Sequence, residues 1–100
     1  TSALRLFEKA RAANPSNALV QFNLGRALLE MNRLGEAREA LCQAAQRAPR
    51  NRSVLTELGS VSLAMGDARE AARWLSRAAK LPEAGERTYF NLGVALTRSG

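Results

Sequence analysis

Residues 23–28 read NLGRAL, and the same kind of segment returns as ELGSVS at 57–62 and NLGVAL at 91–96. The three Leu-Gly pairs begin at Leu24, Leu58 and Leu92, so the interval between successive pairs is the same both times. A fixed period of this length is typical of repeat proteins, in which each repeat is a small helical unit that stacks on its neighbours. The sequence therefore predicts an all-α repeat protein with a binding surface rather than a catalytic site.

The spacing of apolar residues around these pairs predicts six helices. Apolar side chains recur at intervals of three and four, which places them on one face of a helix. On the first predicted helix these residues are Ala3, Phe7 and Ala10. On the second they are Val20, Leu24, Ala27, Leu28 and Met31. Pro15, Pro49 and Pro82 end the first, third and fifth predicted helices, since the residue before a proline avoids the helical conformation. The predicted helices cover residues 1–13, 18–31, 35–48, 52–65, 68–81 and 86–98.

Turn and cap residues support these boundaries. Asn32, Gly66 and Gly100 occupy equivalent places in the period, where a helix end in the left-handed conformation is expected. Asn17 is a predicted N-cap, and Asp67 with Glu70 three residues later resembles a capping box.

Composition excludes several classes of protein. The chain has 100 residues, of which 46% are hydrophobic, enough for one folded domain. It has no apolar run long enough to span a membrane. There is no His, which removes the commonest general base and metal ligand, and Cys42 is the single cysteine. An internal disulfide is therefore excluded, which fits a reducing compartment and favours the cytoplasm.

The net charge of +6 is carried almost entirely by Arg. A basic balance favours an acidic partner, a nucleic acid or an anionic membrane surface. The arginines are spread along the whole chain, however, which favours a solvated helical exterior.

The chain resembles the tetratricopeptide repeat (TPR) family. The family pattern is Leu-Gly on a first helix, a turn glycine, then small, large and small residues on a second helix followed by Pro. The matching residues are Leu24, Gly25, Ala37, Leu41, Ala44 and Pro49, and then Leu58, Gly59, Gly66, Ala71, Leu75 and Ala78. The chain departs from the pattern at Gln21 and Leu55, which stand where Trp is common.

The resemblance implies a right-handed α-solenoid of stacked antiparallel helix pairs, six helices in all. Residues 1–17 would be a half repeat with the second helix only, and 86–100 a half repeat with the first helix only. Residues 18–51 and 52–85 would be complete repeats. Because neither end carries a polar cap, the chain is expected to be part of a longer array.

The resemblance also implies a concave groove lined by the first helix of each pair. The candidate peptide-contacting residues there are Phe22, Asn23, Arg26, Glu30, Thr56, Glu57, Ser60, Arg87, Phe90, Asn91, Val94 and Arg98. Asn23 and Asn91 precede Leu-Gly, where related proteins often hold a peptide backbone with an amide that both donates and accepts hydrogen bonds. In the alternative interpretation, the two phenylalanines pack between repeats and the amides are merely solvated.

Other conspicuous residues are expected to be structural. Arg69, Arg73, Arg77 and Lys80 form a basic stripe, interpreted as a solvated face or as a contact for an anionic surface. Trp74 is expected to fill a gap between repeats, and Cys42 is expected to point outward without chemistry.

The sequence therefore predicts a protein-interaction scaffold that binds a peptide segment of another protein, with acidic character favoured by Arg26, Arg87 and Arg98. One alternative is a structural scaffold that self-assembles head to tail through its open ends. Another is a basic helical-repeat binder of nucleic acid, against which the scarcity of aromatic residues argues. No enzyme activity, cofactor or metal is predicted.

Overall fold

The computed structural model describes residues 2–100, and every regular element in that range is an α-helix. The six predicted helices are confirmed, with boundaries that move by one or two residues; α3 begins at Leu34 and α5 ends at Ala79, for example. Thr1, which was included in the first predicted helix, lies outside the described residues. The helices are α1 (Ser2–Ala13), α2 (Ala18–Glu30), α3 (Leu34–Arg47), α4 (Arg52–Ala64), α5 (Ala68–Ala79) and α6 (Glu86–Arg98).

The turns after α2 and α4 have the same geometry. Asn32 has φ of 59° and Gly66 has φ of 82°, so both adopt the predicted left-handed conformation. The amide of the next residue then reaches back across the turn, with Arg33 N 2.9 Å from Leu28 O and the equivalent bond from Asp67 also 2.9 Å long. These bonds satisfy carbonyls that the helix end would otherwise leave without a partner.

Side-chain caps begin three of the helices. The Asn17 side chain accepts a hydrogen bond from Val20 N at 3.1 Å, and the Asp67 side chain accepts one from Glu70 N at 3.1 Å, as predicted. Asn51, which lies one sequence period after Asn17 and was not singled out from the sequence, caps α4 in the same way. Each such cap typically contributes about 1 kcal/mol.

The helices form two compact units, residues 1–49 and residues 50–100. In the first unit, Gly25 of α2 lies directly against Leu41 of α3. A Cβ atom added at Gly25 would lie 2.6 Å from Leu41 Cγ, closer than real Cβ atoms come to a neighbour. The missing side chain therefore allows the two helices to approach each other closely.

The second unit repeats this contact between α4 and α5. A Cβ atom at Gly59 would lie 2.6 Å from Leu75 Cδ2 and would overlap Leu75 Cγ as well. Leu75 in turn packs with Ala71 and with Ala95 of α6, so the same residue connects three helices. Leu58 is completely buried in this unit.

The apolar pattern of α1 differs from the prediction. Leu4 is its buried residue, whereas Ala3 is exposed and Phe7 and Ala10 are half-buried. The face with Ala3, Phe7 and Ala10 corresponds to the face that α3 and α5 pack against α2 and α4. Among the described residues, no Leu-Gly helix covers that face of α1, and the expected burial is therefore wrong. Met31, expected in the apolar stripe of α2, is 38% exposed because it lies beyond the end of the helix.

We expect the substitution Leu58→Ala to lower the free energy of unfolding by about 2–5 kcal/mol, since it removes buried methyl groups and leaves a cavity. Urea denaturation followed by circular dichroism measures this change. A midpoint equal to that of the wild-type protein would contradict the placement of Leu58 in the core.

The equivalent glycines on α4 and α6 should respond in opposite directions to substitution by Ala. Gly59→Ala should destabilise by about 1–3 kcal/mol, because Leu75 is fully buried and has little room to move away. Gly93→Ala should stabilise by about 0.5–1 kcal/mol, because Ala favours a helix over Gly. At Gly93 a Cβ meets no other described atom within 4 Å. Equal changes in the urea midpoint of the two variants would contradict the difference between the tight surroundings of Gly59 and the open surroundings of Gly93.

Candidate functional site

The first candidate surface is a cleft between α1 and α2, which we call the α1–α2 cleft. Its volume is about 500 Å³. Three of its residues, Asn23, Arg26 and Glu30, were predicted from the sequence to line a groove. The full lining consists of Ala3, Phe7, Asn23, Arg26, Ala27, Glu30 and Met31.

Polar groups on the α2 wall of this cleft are available to a ligand. Asn23 is half-buried, and its amide makes no side-chain hydrogen bond within residues 2–100. Arg26 is exposed and lies over the Phe22 ring, with Cζ 5.7 Å from the ring centroid. This cation–π contact orients the guanidinium group while its N–H groups stay accessible. Helix α2 therefore presents an amide, a cation and an anion within two turns.

The second unit brings together four other predicted residues, Glu57, Ser60, Arg87 and Asn91. Arg87 Nη1 lies 2.5 Å from Glu57 Oε1, and Arg87 Nη2 donates to Ser60 Oγ at 3.2 Å. Asn91 Nδ2 donates to the same hydroxyl oxygen at 3.1 Å. This polar network connects α4 to α6.

The network has a structural role that sequence reasoning missed. Glu57 is 6% exposed, and a buried carboxylate needs a cation and hydrogen bonds to offset its lost hydration. Arg87 supplies that charge. Asn91 uses one amide N–H for Ser60, which leaves its Oδ1 and its second N–H without a side-chain partner among the described residues.

Thr56, also a predicted groove residue, is buried rather than open to a ligand. It is 1% exposed, and its hydroxyl lies 3.0 Å from that of Thr88, which is fully buried. Thr88 was not identified from the sequence. Thr88 lies one sequence period after the core residue Val54, and its burial could have been predicted from that position.

The second candidate surface lies on α6 and is called the α6 face. It surrounds a hollow of about 450 Å³, and Phe90 on it is 72% exposed. Phe90, Val94 and Arg98 were predicted as contact residues, whereas Tyr89 and Thr97 were not. The α6 face consists of Tyr89, Phe90, Gly93, Val94, Thr97 and Arg98.

The remaining conspicuous residues lie on α3, on α5 and at Lys80, the C-cap of α5. Arg69, Arg73 and Lys80 are exposed, as expected of a solvated stripe. Trp74, which was expected to fill a gap between repeats, packs against Leu55, Ala78 and Leu81 in the second unit. Arg77 lies over the Trp74 ring at 5.0 Å. Cys42 is half-buried and does not point fully outward as predicted.

The described residues were also compared with the requirements of a metal site and of a membrane-spanning helix. No group of three or more His, Cys, Asp or Glu side chains within residues 2–100 has an arrangement that could hold a metal ion. In the same residues, no helix combines the length and the apolar character needed to cross a lipid bilayer.

Comparison with known proteins gave one family and a structural neighbour. The crystal structure of MamA superposes with a TM-score of 0.90 at 23% sequence identity, and the match covers 97% of this chain and 57% of that chain. The present chain therefore spans little more than half the length of that protein, and the likeness shows the fold alone. The comparison with curated protein sequences gave no match.

The family is identified by sequence. The model described as "Tetratricopeptide repeat" matches residues 1–53, which contain α1, α2 and α3. Together with the fold, this confirms the predicted all-α solenoid class. The chain belongs to the tetratricopeptide repeat family.

Proposed function

We propose that the α1–α2 cleft binds a peptide segment of a partner protein and that Asn23 contacts the peptide backbone. The observation that carries the proposal is the unused amide of Asn23 at the wall of the cleft. An amide can donate to a peptide C=O and accept from a peptide N–H at the same time, which suits a ligand recognised through its main chain.

The family supports this proposal at a coarser level. The chain is a protein-interaction repeat scaffold, and repeats of this family generally act as non-catalytic interaction modules. We propose, in addition, that residues 18–51 and 52–85 are complete repeats and that α1 and α6 belong to two half repeats. In this assignment α2, α4 and α6 are first helices, which carry the contact residues.

Charge around the cleft favours a partner segment with an acidic side chain. Arg26 is held by its contact with Phe22, so it loses less conformational freedom when it binds a carboxylate. Glu30, one turn further along α2, would favour a basic or polar side chain at the next position of the peptide. The cleft therefore selects for the order of charges in a peptide as well as for its backbone.

The α6 face is proposed as a separate contact surface. Phe90 and Tyr89 are 72% and 55% exposed, and aromatic side chains supply much of the binding energy where they become buried at protein interfaces. Asn91 borders this face with its free carbonyl oxygen, so Asn91 is proposed to assist Phe90 rather than to act as the main anchor.

We expect the substitution Asn23→Ala to weaken the binding of a selected peptide about 2- to 10-fold. The loss of one net hydrogen bond of about 0.5–1.5 kcal/mol corresponds to that change in Kd. Peptides would be selected from a displayed library on the immobilised chain, synthesised, and their affinities measured by isothermal titration calorimetry.

The matched control is Asn14→Ala, which removes the same side chain from an exposed turn outside the cleft. This variant should bind the selected peptide with unchanged affinity. Equal affinities of the wild-type, Asn14→Ala and Asn23→Ala proteins would remove Asn23 from the binding site. Failure to select any peptide that binds would reject the proposed function itself.

A further inference from the structure

One type of helix–helix contact occurs twice within the chain. The α6 face carries residues like those on one side of this contact, and the α1–α2 cleft carries residues like those on the other side. In both internal cases a Leu-Gly helix packs on a helix in which a large residue lies between two alanines. Gly25 lies against Leu41, and Gly59 lies against Leu75. The alanines on either side of these leucines, Ala37 and Ala44 and then Ala71 and Ala78, are completely buried.

Helix α6 carries the third Leu-Gly pair, and although α4 and α5 contact this helix, no helix within residues 2–100 packs on its Gly93 side. A Cβ atom at Gly93 meets no other described atom within 4 Å. Helix α1 presents the opposite case. Its Ala3, Phe7 and Ala10 lie one sequence period before Ala37, Leu41 and Ala44, and Ala3 and Phe7 line the α1–α2 cleft. Each surface therefore lacks the kind of helix that the other provides.

We propose that α6 of a second copy of this chain docks into the α1–α2 cleft, in the position that α4 occupies against α5 and α6. This inference rests on the proposed function, because it names an occupant for a cleft already proposed to bind a partner segment. The occupant is a helix from an identical chain, recognised through the repeat pattern itself.

The sequence period gives the register of the contact with α1. The internal contact of Gly59 with Leu75 becomes a contact of Gly93 with Phe7 of the other copy. The internal cluster of Leu55 with Ala78 likewise becomes a contact of Tyr89 with Ala10 of the other copy. In each pair a small residue opposes a large one, which is how packed helices interlock.

The contact between α6 of one copy and α2 of the other is inferred from the contact between α4 and α6 within one chain. The internal pair Thr56–Thr88 becomes Phe90 against Val20 of the other copy, and Ser60–Asn91 becomes Val94 against Asn23. The polar residues Thr56 and Ser60 of α4 are thus replaced on α6 by the apolar residues Phe90 and Val94. Burying Phe90 removes apolar surface from water, which favours association.

No ion pair is transferred to this interface. The internal pair Glu57–Arg87 becomes Asn91 against Leu19 of the other copy, and Leu19 is 65% exposed. The register therefore places no ion pair at the position that Glu57 and Arg87 occupy within the chain.

The contact is heterologous, since it joins two different surfaces. Each pair of chains keeps one free cleft and one free α6 face, so further copies can add. Self-association should therefore continue beyond the dimer as concentration rises.

Sedimentation velocity of the chain between about 10 µM and about 1 mM tests this proposal, because weak contacts have dissociation constants in that range. The average mass of the wild-type protein should rise with concentration. Gly93→Leu should weaken association at least about tenfold, because the new side chain fills the space needed by Phe7. The open surroundings of Gly93 should leave the fold of this variant intact, which thermal denaturation checks. Gly35→Leu is the matched control, since the surroundings of Gly35 are also open and it lies on α3 outside both surfaces.

A mixing experiment tests the direction of the contact. Ala3→Glu blocks the cleft but leaves the α6 face intact, and Gly93→Leu does the reverse. Each variant alone should remain monomeric at about 1 mM, whereas the mixture should form dimers that stop at two chains. A mixture that remains monomeric overturns the proposed interface.

Two outcomes separate this inference from the proposed function. A wild-type chain that stays monomeric at about 1 mM but binds the library-selected peptides overturns docking of α6 and leaves peptide binding in place. Association that Gly93→Leu abolishes, in a chain for which no peptide can be selected, supports docking of α6 and overturns the backbone-binding role of Asn23.

Discussion

The close contact between a glycine of one helix and a leucine of the next is the interaction on which the fold depends. A Cβ atom at Gly25 or Gly59 would overlap the side chain of Leu41 or Leu75. The helices have 12 to 14 residues, and isolated helices of that length are marginal in water. They are therefore stable mainly through packing, and packing at this distance requires that the first residue have no side chain. The fixed sequence period repeats this requirement along the chain.

Polar residues on α2, α4 and α6 serve two purposes that cannot be told apart in the sequence. Asn91 and Asn23 both precede Leu-Gly, but Asn91 donates to Ser60 of α4, whereas Asn23 has no such neighbour within its unit. Burial of Glu57 makes the Arg87 contact structural as well. Within the second unit, α4 and α6 thus supply the binding partners for each other's polar side chains. The same residue type binds within the chain where a neighbour is present and can bind a partner where its amide is unused.

The difference between these two cases sets the limit of what the sequence predicts. Helix number, the left-handed turn at Asn32 and the caps at Asn17 and Asp67 follow from short-range rules, so they were predictable. Burial of Thr56 and Glu57 depends on which side of α4 faces α6, and that rotation is fixed by tertiary packing. The exposure of Ala3 has a similar origin, because a face that matches the core pattern is buried only where a helix covers it.

A repeat architecture makes this dependence on neighbours directly informative. In a protein whose units contact only adjacent units, the residues at each position of the period face the same kind of neighbour. Replacement of the polar residues Thr56 and Ser60 by Phe90 and Val94 one period later therefore changes the chemistry of one surface and not its place in the fold. The internal contacts include one buried pair of hydroxyl groups and an ion pair, whereas Tyr89, Phe90 and Val94 make much of the exposed α6 face aromatic and aliphatic. Hydrogen bonds fix the register of one helix against another, and exposed apolar surface favours association without requiring ion pairs. Variation at these positions thus separates the contacts that hold the chain together from those available to a partner.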